Sequence, residues 1–174
     1  GESLRKTKIV IPNHLKRVVF YLGDPAMKLV TPPSDIRLTH INDVPITQPT
    51  DTLKALSRMK MRGQVTTENG NPITNYNGNL EVTIFDKRIN RSTLGNDNIR
   101  INGELAIMDF TTLGNTIFRG QASVQNGEFE FEFIVPRDIG VPVGNGRISF
   151  YASRDDALED ETGNNQAILV GGIN

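Results

Sequence analysis

After residue 35, apolar and polar residues alternate along most of the chain with the two-residue period of β-strands. The cleanest stretch is "NGEFEFEFIVP" at 126–136, which sets Phe129, Phe131 and Phe133 on one face and Glu128, Glu130 and Glu132 on the other. That pattern predicts a strand with one buried and one wet side, as in an antiparallel sheet. Asn126-Gly127 ahead of it predicts a tight turn, and Pro136 ends it. Residues 80–85 repeat the alternation with Leu80, Val82 and Ile84 on one side, and "GRISFYAS" does so with Ile148 and Phe150. "DIRLTHIN" sets Ile36, Leu38 and His40 against Arg37, Thr39 and Ile41, and "NDVP" at 42–45 is a turn signal.

Other stretches are less clean. "LKALSRMKMRGQV" (53–65) fits a helix through Leu53, Leu56 and Met59, but Met59, Met61 and Gly63 alternate with Arg58, Lys60 and Arg62, which favours a strand. Residues 86–98 form a long polar connection. "INGELAIMDF" and "GNTIFRGQASV" are each expected to be a strand, and "NNQAILVGGIN" holds one more. "TTENGNPITNYNG" is rich in the residues that make turns, so it reads as a strand connection, with a binding loop as the alternative. About eight strands separated by turn signals, with no long helix, predict an all-β fold: an immunoglobulin-like antiparallel β-sandwich over residues 34–174. Residues 1–33 differ. Asn13 is placed to cap a short helix toward Tyr21, and "TPPSD" reads as a linker. Whether residues 166–174 complete the sandwich or begin something else stays open.

Composition narrows the function. A formal net charge of -1 over 174 residues gives no footprint for nucleic acid. The chain contains no cysteine, which removes disulfides, thiolate zinc sites and a cysteine nucleophile. No stretch reaches the roughly 20 apolar residues of a membrane-spanning helix. The two histidines, His14 and His40, have no partner at metal-ligand spacing. Neither a nucleophile elbow nor a phosphate-binding glycine loop is present. No residue is therefore assigned a catalytic or cofactor-binding role, and no cofactor is expected. The acidic run "RDDALEDETGNN" reads first as a solvated loop. Asp155, Asp156, Glu159, Asp160 and Glu161 in it are the candidates for holding calcium, although their spacing is not that of an EF-hand. The glutamates of "FEFEF" face either water or a basic neighbouring domain. Tyr76, Tyr151 and the asparagine-rich loops motivate an alternative function, a free-standing surface module that binds carbohydrate or lipopolysaccharide; the lack of tryptophan argues against it.

Five stretches occur in an order that resembles a known family: "FYLGDPAMKLVTPP", "DTLKALSRMKMRGQVTTENGNPITNYNGNLEVTIFDK", "STLGND", "FRGQASVQNGEFEFEFIVPRDI" and "GNGRISFYAS". Together they are similar to the region that follows the catalytic domain in gingipain-like sortases of the type IX secretion system, the PorU-type cysteine peptidases of Bacteroidetes. The resemblance implies a non-catalytic accessory module of a cell-surface enzyme on the outer membrane. That enzyme removes C-terminal sorting domains from secreted cargo and joins the new end to lipopolysaccharide. It also implies that residues 1–33 are the end of the preceding caspase-like peptidase domain or a linker, which in an isolated fragment could pack on a neighbouring molecule. Expected partners are the upstream peptidase domain in cis and, beyond it, secretion components or cargo. With no cysteine here, no catalytic residue carries over.

Overall fold

The structure, a computed structural model, describes residues 34–155 and 160–173. Expectations for residues 1–33, including the helix after Asn13, the peptidase-domain remnant and its packing on a neighbour, lie outside the described residues. So does His14.

The described residues form an antiparallel β-sandwich without helices, as the alternation predicts. Its main strands are β1 (Ser34–Ile41), β4 (Arg58–Thr67), β5 (Gly78–Phe85), β10 (Thr116–Gln125), β11 (Glu128–Ile134), β13 (Arg147–Arg154) and β14 (Asp160–Asn165). The hydrogen-bonded order is β14-β13-β5-β10-β11-β4-β1, ending on the short β2 (Val44–Pro45). This continuous sheet folds into two layers along the line between β10 and β11. Those two strands pair only beside their turn, at Val124–Phe129 and Gln125–Glu128, and then part. Asn126 and Gly127 make that turn with φ of 52° and 78°, the left-handed pair that a two-residue hairpin demands.

Phenylalanines fill the space between the layers. Phe118 of β10 stacks on Phe133 of β11 at 4.6 Å between ring centres, and Phe129 meets Phe150 at 5.4 Å. On the opposite side β14 closes against β1. A side chain at position 163 would collide with the carbonyl oxygen of Ile36, so glycine is what lets the two layers meet there. One end of the sandwich is covered by a small sheet of β12 (Gly144–Asn145), β15 (Leu169–Ile173) and β3 (Leu53–Ala55), in which Leu53 and Val170 are fully buried. Residues 169–173 thus belong to this sandwich.

Several expectations need correction. A bulge in β1 shifts the register between Leu38 and His40, so Ile41, not His40, follows Ile36 and Leu38 into the core. The stretch 53–65 is not one strand. Leu56 has a φ of 64° and breaks it into β3 and β4. The acidic run is not wholly a loop, because Asp160–Asn165 is strand β14 and buries Glu161. The "TTENGNPITNYNG" stretch does connect two strands, β4 and β5, and it is packed down: Tyr76 is 1% exposed, and its carbonyl accepts the Gly127 amide at 2.8 Å. The "FEFEF" glutamates are exposed, the solvent-facing row that the alternation gives first, and the basic groups they meet are those of their own sheet. Lys60 Nζ lies 2.9 Å from Glu130, and Arg58 pairs with Glu132, across β4 and β11. The hydrogen bond from Lys60 to Glu130 raises the lysine pKa.

Candidate functional site

Between Ile84 and Ile117 no side chain belongs to the core. Here β5 and β10, already paired as a hairpin, run on beyond the sandwich as an arm. The Asp86 amide donates to the Asn115 carbonyl at 2.8 Å and closes its base. The stem consists of β6 (Ile89–Ser92) and β9 (Asp109–Thr112), paired from Ile89–Thr112 to Ser92–Asp109. Ser92 Oγ donates to Asp109 at 2.6 Å, and Arg91 Nε donates to Thr112 Oγ1 at 3.2 Å. A second hairpin follows at the far end, β7 (Arg100–Ile101) and β8 (Glu104–Leu105), turned by Asn102-Gly103 with φ of 53° and 87°.

The arm carries an unusual surface. Of the seventeen large apolar side chains exposed among the described residues, nine fall between Ile89 and Leu113. Leu94 is 84% exposed, Met108 69% and Ile101 64%. Scattered apolar residues are ordinary on a protein surface, but a concentration on one projecting element marks an interaction site. Among the described residues the stem strands also pair only with each other, so each has one edge to which no described strand is bonded.

The root of the arm is fastened by charge. Lys87 Nζ donates to Asp86 Oδ1 at 2.6 Å, to the Gly140 carbonyl at 3.0 Å and to the Val170 carbonyl at 3.3 Å. Asp86 Oδ2 accepts the Gly140 amide at 3.1 Å. Burial alone would push the Asp86 pKa up, but the bonds from Lys87 and from two backbone amides outweigh it and hold the carboxyl below its usual range.

The residues singled out from sequence fall elsewhere. Asp155 is exposed. Asp160 faces out and bonds Tyr151, raising that phenol's pKa, whereas the adjacent Glu161 points inward. Asp156 and Glu159 lie outside the described residues. Among the described residues no three histidine or acidic side chains converge as a metal site. His40 Nδ1 sits 3.0 Å from Thr39 Oγ1, beside a polar cleft of about 670 Å³ that Arg62, Gln64 and Glu130 also line. Tyr76, half of the aromatic case for a glycan site, is in the core; Tyr151 stays exposed.

Sequence reasoning missed the arm. Its signal was the apolar parity of 99–113. Ile99, Ile101, Leu105 and Ile107 stand at odd positions and Met108 and Phe110 at even ones, so no single strand face could bury them all.

Fold and arm together define a β-sandwich that presents an apolar projection. No protein-family profile matches the chain, and no curated protein does either. Among solved structures the chain is similar to dimeric latent PorU from Porphyromonas gingivalis, with a TM-score of 0.69 and 27% identity over 99% of this chain. The match spans 16% of that protein's length. A sporulation control protein, Spo0M from Bacillus subtilis, matches 81% of this chain and 50% of its own with a TM-score of 0.39 and 13% identity, too distant to carry an argument. The described residues contain no helix long and apolar enough to cross a membrane. A segment of PorU thus resembles this chain in structure, and the chain has no cysteine of its own.

Proposed function

We propose that this chain is a non-catalytic accessory module of a longer cell-surface cysteine peptidase, one that removes C-terminal sorting domains from type IX-secreted cargo at the outer membrane. The likeness to a segment of PorU over nearly the whole of this chain carries the reading. The missing cysteine puts the nucleophile of such an enzyme in another part of it. Within this reading, the arm is the module's contact with the peptidase domain of the parent protein. Two observations support that role: the exposed apolar side chains from Ile89 to Leu113, and a matched protein about six times longer than this chain, most of which lies outside the match.

The test has two parts. The purified chain, incubated with a cargo protein carrying its sorting domain, leaves the cargo intact; cleavage would overturn the non-catalytic assignment. In the full-length parent, Leu94→Ser, Ile101→Ser and Met108→Ser together lower hydrogen-exchange protection in the peptidase domain and change its activity. If both readouts stayed at their wild-type values, the arm would not be the contact.

A further inference from the structure

Asparagine followed by glycine can modify itself. The glycine amide nitrogen loses its proton and attacks the asparagine Cγ. Ammonia leaves, a five-membered succinimide forms, and water opens it to isoaspartate or aspartate. The net change is amide plus water to carboxylate plus ammonium, with no oxidant or cofactor. The step requires a glycine amide that is free to lose its proton and a backbone free to bring it onto Cγ.

Five Asn-Gly pairs occur in the chain, beginning at Asn69, Asn77, Asn102, Asn126 and Asn145. Four are restrained. The Gly70 amide donates to the Thr67 carbonyl at 2.8 Å, Gly127 to Tyr76 at 2.8 Å and Gly146 to Ile168 at 2.9 Å. Gly78 is buried in β5 between β10 and β13. The Asn77 and Asn145 side chains are also held, Asn77 Oδ1 by the Asn126 amide at 2.9 Å and Asn145 Nδ2 by the Gln166 carbonyl at 3.0 Å. Asn102-Gly103 differs on every count. Both residues are exposed, nothing lies within 4 Å of where a Gly103 Cβ would stand, and the Gly103 amide has no acceptor among the described residues. The turn is held by strands of two residues each and by Arg100 Nη1, which donates to the Gly103 carbonyl at 2.8 Å and leaves the Gly103 amide unbonded; so small and exposed an element opens locally at little cost.

We propose that Asn102 is a self-modification site, converting with time to aspartate and isoaspartate at the tip of the arm. The product places a negative charge between Ile101 and Leu105, both exposed. A desolvated charge opposes apolar docking, so the reaction would progressively weaken whatever contact the arm makes. The modification itself does not depend on the arm having a partner.

The experiment is native ageing of the 174-residue chain at mildly alkaline pH, then trypsin digestion and mass spectrometry with enzymatic isoaspartate labelling. Cleavage after Arg100 and Arg119 isolates Asn102 from the other four pairs. Conversion is expected about tenfold or more faster at Asn102 than at any other pair in the folded protein, since it needs only local opening. In denaturant the five should converge, and Asn102→Gln should remove the signal from peptide 101–119. Equal or faster conversion at another pair in the folded protein, or a signal persisting in that peptide of the variant, would overturn the assignment.

Discussion

Glu161 gives the sharpest test of the packing described above. It lies on β14 opposite Ala152, is 4% exposed, and its Oε2 has no hydrogen-bond partner among the described residues. Leaving a buried polar group unsatisfied costs about 1–3 kcal/mol, and more when the group is charged. Glu161→Met keeps an unbranched side chain of similar reach while removing the carboxylate with its orphaned Oε2. The variant should therefore be more stable by about 1–3 kcal/mol. For a domain of this size each kcal/mol moves Tm by about 2–4 °C, so a rise of about 2–12 °C is expected. Glu161→Gln, which removes the charge but keeps a polar group needing partners, should gain less. Thermal and urea unfolding followed by circular dichroism measure both, and an unchanged m-value shows that the gain is in stability and not in the denatured state. A Met variant that melts below wild type would refute the reasoning, because it would mean that the carboxylate holds something the sandwich needs.

Three further outcomes are expected. Asp86 has its carboxyl pKa lowered in the fold, so the stability it contributes is complete above its usual value of 3.8 and is lost as pH falls through the lower folded value. Asp86→Asn should therefore melt below wild type at neutral pH, and the gap should shrink in strong acid when Tm is followed against pH. Phe133→Ala removes a ring 6% exposed and stacked on Phe118. It should cost about 3–5 kcal/mol in urea unfolding, and a cost near zero would show that the layers do not meet there. Replacing residues 88–113 by an Asn-Gly turn should leave Tm nearly unchanged, because none of the removed side chains is in the core; a collapse would show that the arm supports the sandwich.

What could be read from sequence depended on whether a residue's neighbours were fixed by its own strand. The Phe129–Phe131–Phe133 face, the Asn126-Gly127 turn and the inward set Leu80, Val82 and Ile84 follow from period and turn chemistry alone, and the structure has them so. The reversal of His40 and Ile41 was hidden, because a bulge is a property of two paired strands. Glu161 and Tyr76 look like surface residues in composition. What buries them is the close approach of β14 to β1 and the folding back of residues 68–77 onto the β10–β11 turn, and both are set by contacts distant in sequence. The arm was half visible: its apolar residues were plain, but an apolar residue outside the core looks the same in sequence as one inside it.

The meeting of β14 with β1 has a kinetic consequence. Ile36 and Gly163 stand near opposite ends of the described chain, so the contact that shuts the sandwich has one of the longest loop-closure entropies to overcome. During synthesis β1 would emerge well before β14, with only the short β2 against its outer edge until β14 had been made. High contact order of this kind makes folding slow and leaves a late, strand-exposed intermediate. A polypeptide built this way relies on whatever keeps that edge occupied in the meantime.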